Sequence, residues 1–198
     1  MTNILLIISI IIISASYLII LITSITSKEK SDETAADAVI RITSDDNSIH
    51  LVESSDSYLN KYLIKRKIIK LTTKTYNSKS IFKVSIAYLL SGYSKLTGKA
   101  IDTLSKIMPY LYYISFTPII TIIISLVVTT SMDAKVGIIF LIIISIYQYI
   151  IYNLNLKVTE IVKSDNECIN KNLNQLVLIS KSFFVATVIQ IFRMILMI

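Results

Sequence analysis

Residues Ile4–Ile22 read ILLIISIIIISASYLIILI, nineteen positions broken only by three Ser, one Ala and one Tyr. At about 1.5 Å rise per residue, a helix over this stretch is close to the roughly 20 residues that cross the hydrocarbon core of a bilayer. No basic segment precedes it. The apolar run exceeds the roughly 7–15 residues of a secretory signal, and no A-x-A-like cleavage site follows. The first segment, 1–26, therefore reads as a retained transmembrane anchor.

The same composition continues outward. Residues of the apolar class make up 54% of the 198 positions, mean hydropathy is +0.68, and Gly (3), Pro (2) and Trp (0) are scarce. The apolar residues are clustered, which favours membrane spans over a large water-soluble core. A second span is expected over Pro109–Thr130, opening at Pro109 and bent at Pro118. A third follows over Val136–Leu154, joined to the second by the tight connector Ser131–Lys135, and a fourth over Leu176–Ile198. Lys181 and Arg193, near the two ends of the fourth, can snorkel to opposite interfaces. Gln148 and Gln190, at membrane depth, are expected to hydrogen-bond between helices.

The net charge of +7 is read with these spans. Fourteen of the 20 basic residues fall in Thr23–Met108, and Lys157, Lys163 and Lys171 lie in 155–175. The hairpin between the second and third spans carries Lys135 beside Asp133. The positive-inside rule then places both basic segments in the cytoplasm and both termini outside. No basic and aromatic surface motif accompanies the charge, so nucleic acid is not an expected partner; the lipid bilayer is. The single cysteine, Cys168, allows no intrachain disulfide and has no partner at metal-ligand spacing.

The polar segment 27–108 reads as α+β. Ser31 is the expected N-cap of a helix, with Asp32 and Glu33 in its first turn and Ala35, Ala36, Val39, Ile40 and Ile42 along it. Asp45–Ser48 ends it. Ile49–Val52 is a candidate strand, Glu53–Ser57 a polar loop, and Lys67–Thr73 (KIIKLTT) a second strand. A helix is expected over Ile81–Gly92, aligning Val84, Ala87, Tyr88 and Ser91. An amphipathic surface helix is expected over Lys95–Met108, with Ile101, Leu104 and Met108 opposite Lys99, Asp102 and Lys106. The fold class is thus a mainly α membrane protein: four transmembrane helices, with a small α+β cytoplasmic segment between the first and second. Its divisions are 1–26, 27–108, the hairpin 109–154, the cytoplasmic loop 155–175 and the closing helix 176–198.

Three stretches carry a resemblance. Glu33–Ile42 reads ETAADAVIRI. Tyr62–Ile81 reads YLIKRKIIKLTTKTYNSKSI, in which Tyr62, Lys67, Leu71, Tyr76, Asn77, Ser80 and Ile81 fit a pattern. The closing span has Arg193 before a final apolar run. In order and spacing these resemble the membrane-bound neutral zinc metallopeptidases of bacteria. That resemblance implies a His-Glu-x-x-His helix, whose two His hold zinc on one face while the Glu acts as general base. Carried forward from Ser80–Ile81, the motif falls on Leu89, Leu90, Ser91, Gly92 and Tyr93, where only the Gly matches. A further family ligand falls on Glu160 in EIVKS, where Glu160 and Ser164 match. With His50 as the one histidine, a single chain has no two-His set. No metal or other cofactor is expected, and Glu160, without ligand partners, reads as a loop carboxylate paired to lysines such as Lys157 or Lys163.

Other catalytic plans find no support. Cys168 and His50 have no orienting motif, and there is no G-x-S-x-G elbow or Gly-rich phosphate loop. The resemblance therefore implies an inactive pseudopeptidase. It could bind peptides beside an exposed strand Lys67–Thr73, or pair with an active relative or another membrane protein. Two alternatives stand beside it: a helical membrane scaffold or assembly protein unrelated to peptidases, and a transporter or channel component. The last is weakened by the absence of an inverted repeat.

Overall fold

The computed structural model describes residues 2–27, 29–55, 59–96, 101–102, 105–106, 108–128 and 130–198. The chain is mainly helical with one small sheet. It divides into two compact units, one of Met1–Ile22, Ser115–Asn153 and Val177–Ile198, the other of Thr23–Ile114 and Leu154–Leu176.

The first unit is helical. Helices α1 (Thr2–Thr26), α6 (Ser131–Ile161) and α7 (Glu167–Ile195) enter it, together with the shorter α5 (Thr117–Val127). Three of the four, α1, α6 and α7, are long and apolar enough to cross a membrane. The expected span Pro109–Thr130 is not one helix. Residues Tyr110–Tyr112 form a strand, and the helix starts only at Thr117, with Pro118 in its first turn. There the missing proline N–H would have had no intrahelical partner, so Pro118 starts the helix instead of bending it.

Interhelical polar contacts tie this unit together. The Tyr17 hydroxyl donates to the Ser115 carbonyl at 2.7 Å, and its ring lies 5.0 Å from that of Phe183. Gln148 Nε2 donates to Thr117 Oγ1 at 3.2 Å, and the hydroxyls of Thr121 and Thr187 lie 3.1 Å apart. Gln190 Nε2 donates to the Leu5 carbonyl at 3.2 Å and to Ser9 Oγ. Lys181 is exposed, but Arg193 does not snorkel. It is 6% exposed, and its Nη1 donates at 2.8 Å to the Ser125 carbonyl, in the last turn of α5. That carbonyl is an orphan acceptor of a short helix, and a cation suits that end of the helix dipole. A Cβ on Gly137 would meet Met194 Sδ at 2.9 Å and Val128 Cγ2 at 3.0 Å. A glycine here is what allows α6 to approach this closely.

The second unit is α+β. Helix α2 runs over Ala35–Thr43, and its N-cap is Thr34, not Ser31. Thr34 Oγ1 accepts from the Asp37 N–H at 3.1 Å, while the Asp37 carboxylate accepts from the Thr34 N–H at 3.1 Å. This reciprocal box satisfies two orphan donors. Ser31 is committed elsewhere: its N–H donates to the Lys79 carbonyl at 2.7 Å, next to a bridge between Lys30 and Ser80.

The sheet has strands β1 (His50–Ser54), β2 (Lys61–Leu63), β3 (Ile68–Thr72) and β4 (Tyr110–Tyr112), in the spatial order β1-β3-β2-β4. Strand β1 pairs parallel to β3, in register His50↔Ile68; β2 pairs antiparallel to both β3 and β4. Glu53 and Ser54, expected in a loop, extend β1. Strand β3 is bonded on both sides, so it offers no free edge for an added peptide strand; the edges are β1 and β4. The tight turn between β2 and β3 ends on Lys67 at φ 51°, in the left-handed region that L-residues rarely adopt.

A short helix α3 (Thr73–Tyr76) leads to α4 (Ile81–Lys95), which packs against α2 and the sheet. Helix α4 runs past the expected end at Gly92 to Lys95. Half of the expected surface helix Lys95–Met108, including Lys99 and Leu104, lies outside the described residues. The expected loop 155–175 is helical apart from residues 162–166, which turn α6 into α7.

Candidate functional site

Helix α4 is buried on every side. From Ile81 to Tyr93 only Lys83 is not buried, and Leu89, Leu90 and Ser91 have no exposure at all. The residues at the resemblance's ligand positions thus fill a packed interior. Tyr93 is 1% exposed, and its hydroxyl donates to Asn155 Oδ1 on α6. A Cβ on Gly92 would meet Val158 Cγ1 at 2.3 Å and Val162 Cγ1 at 3.1 Å. Helix α4 therefore lies directly on the C-terminal part of α6, with glycine as the residue that lets the backbones meet.

Glu160 lies on the last turns of α6, not in a loop, and it is exposed. Two residues from Val158 along the helix, it points away from the face that meets Gly92. It makes no ion pair with Lys157 or Lys163 among the described residues. His50 opens β1 in an exposed position, and Cys168 sits half-buried in the first turn of α7. Among the described residues no three of His, Cys, Asp and Glu come together as a metal-binding group.

The polar chemistry of this unit gathers one residue before Leu89. Arg41 at the end of α2 forks onto Glu33, with Nε to Oε2 at 3.1 Å and Nη2 to Oε1 at 2.9 Å. Arg41 Nη2 also donates to the Tyr88 hydroxyl, and its guanidinium lies 5.4 Å from the centre of that ring. The Tyr88 hydroxyl donates to Glu33 Oε1 at 3.0 Å and meets Ser164 Oγ at 3.2 Å. Ser164 is held in turn by Asn170, whose Nδ2 donates to its carbonyl at 2.7 Å and whose Oδ1 accepts its N–H at 3.0 Å. The group ties α2, α4 and the α6–α7 turn together.

The electrostatics follow from this geometry. The hydrogen bond from Arg41 holds the Glu33 carboxyl below its usual value, and Glu33 raises Arg41 further. Burial pushes the Tyr88 phenol up. An open cleft of about 690 Å³ lies beside the group, lined among others by Asp32, Lys163 and Asp165. The hydrogen-bonded partners in the group lie 6 to 76 positions apart in sequence, and no motif in the sequence joins them. The lone local sign was the match of Glu33 and Ser164 to the resemblance.

Comparisons with protein-family models, with curated proteins and with solved structures give no match.

Proposed function

We propose that the chain is a membrane-integrated, non-catalytic relative of the bacterial membrane zinc metallopeptidases. In this reading it crosses the bilayer four times, with α5 as the second crossing, and keeps residues 27–108 and the α6–α7 turn on the cytoplasmic side. The observation that carries the reading is the contact of Gly92 with Val158 and Val162. It packs the helix bearing Leu89, Leu90 and Tyr93 on the helix bearing Glu160, the two elements that would carry the ligands in an active relative, while Glu160 itself is exposed and faces away from the contact. In this chain the ligand positions on α4 hold two leucines and a tyrosine whose hydroxyl is spent on Asn155. Leucine offers neither a lone pair nor a proton, and a phenol is a poor substitute for a neutral imidazole.

The remaining role is binding or regulation through the scaffold, including pairing with an active relative. Peptide capture by strand addition at β3 is not part of it, because β3 is already bonded on both edges.

Elemental analysis of full-length protein purified in mild detergent tests the reading. Zinc well below one atom per chain is the expected result. Zinc near one per chain that survives mild chelation would overturn it, as would a zinc-dependent peptidase activity abolished by Glu160→Ala.

A further inference from the structure

The tight turn between β2 and β3 carries an unbalanced positive charge. Lys67 is met by Asp46 at 3.7 Å and by Ser48 Oγ at 2.7 Å. Lys65 and Arg66 are exposed and have no partner among the described residues. They line an open cleft of about 280 Å³ with Leu63, Pro109 and Tyr110, and no acidic side chain is among its described lining. Strand pairing closes the other side. Leu63 stands opposite Tyr110 and Lys61 opposite Tyr112, and the Ile64 N–H donates to the Pro109 carbonyl at 3.2 Å. The Lys61 ammonium lies 5.2 Å from the centre of the Tyr110 ring and 5.9 Å from that of Tyr112.

The chain supplies the second observation. Only four residues, 113–116, separate β4 from the apolar α5, a reach of at most about 18 Å when extended. A basic cleft lined by Tyr110, with Tyr112 beside it on the same strand, and tethered this closely to a membrane-entering helix has the composition of an interfacial anchor. Tyrosines favour the headgroup level, and Lys and Arg favour anionic lipid. The geometry points to Lys65 and Arg66, with Lys61 and Tyr110 beside them, as a binding site for the phosphate of anionic phospholipid headgroups. The assignment rests on α5 entering the bilayer, as in the four-crossing reading above.

The site makes a specific prediction for the full chain in nanodiscs of phosphatidylcholine doped with spin-labelled lipid. The motionally restricted fraction should favour phosphatidylglycerol over phosphatidylcholine. Removing charge in Lys65→Gln and Arg66→Gln should weaken that preference about fivefold per residue at low salt, and raising salt should weaken it further in the wild type. The pair Lys74→Gln and Lys79→Gln, which removes equal charge elsewhere in the same unit, should leave it unchanged. No preference in the wild type, or an equal loss in the control pair, overturns the site. Full displacement by excess inorganic phosphate also overturns it, since a free-phosphate site would not need a membrane. A chain that fails to enter the nanodisc refutes the membrane reading instead, so the two failures are told apart.

Discussion

At the residue scale, Gly92 sets how closely α4 can approach α6. A methyl group there would lie 2.3 Å from Val158 Cγ1, so Gly92→Ala must displace the Val158 side chain or push α4 and α6 apart. Overpacking of this kind costs about 1–3 kcal/mol. The thermal midpoint in detergent, followed by circular dichroism, should fall accordingly. Adding Val158→Ala should recover part of the loss, because it removes the group that the new methyl strikes. An unchanged midpoint in Gly92→Ala would mean the helices do not meet there. Glu33 gives a second prediction, in pH. Its carboxyl is held below the unfolded value, chiefly by the hydrogen bond from Arg41. The stability it contributes is therefore present above the unfolded carboxylate range and lost as pH falls through the lower folded value. Unfolding followed from neutral pH downward should steepen in the acid range for the wild type. Glu33→Gln should be less stable at neutral pH and flatter below it; parallel curves would refute the assignment.

At the scale of elements, legibility followed length and periodicity. The apolar cores of α1 and α6 stand out in the sequence because about twenty consecutive uncharged, mostly apolar positions leave no other reading, and α7 stands out despite Lys181 and Arg193. Their polar ends do not: the turns of α6 and α7 beyond the apolar stretch carry Asn155, Lys157, Asn172 and Asn174 and read as loop. Strands β2 and β4 are three residues each (KYL and YLY), too short for alternation to register. Missing β4 is what left Pro109–Thr130 as one span, and missing β2 is what left β3 as an edge. The start of α2 was legible but misread. Thr34-Ala35-Ala36-Asp37 has the spacing of a capping box, three residues after the Ser31 that looked like a cap. Thr34→Ala should destabilise the chain by about 1 kcal/mol, whereas Ser31→Ala should leave the start of α2 intact. Chemical denaturation of both variants distinguishes the two assignments. The polar group at Tyr88 was illegible for another reason: its members come from α2 and the residue before its cap, from α4, from the turn at 162–166 and from the start of α7, and only the fold makes them neighbours.

At the scale of the whole molecule, the four-crossing reading can be tested with the one native thiol. Cys168→Ser gives a background without cysteine, and single cysteines can then replace exposed lysines. Lys135, in the first turns of α6, and Lys65, in the β2–β3 turn, should label from opposite faces in sealed vesicles. Labelling of both by an impermeant maleimide from the same face would reduce the crossings to an arrangement in which α5, with 11 residues, does not traverse. At about 1.5 Å per residue α5 is only about 16 Å long, so its flanking non-helical residues must complete any passage.

The order in which the sheet is assembled also follows from its strand order. Three strands are synthesised by residue 72, yet β2 gains its second neighbour only with residues 110–112, immediately before α5. Helix α4 waits longer still, because Gly92 rests on Val158 and Val162. During synthesis, then, the second edge of β2 stands unpaired until residues 110–112 emerge, and the face of α4 that meets Val158 and Val162 stands uncovered until α6 has left the ribosome. A nascent chain stalled at residue 108 should be the species that chaperones hold and proteases cut, whereas one released past residue 176 should resist both.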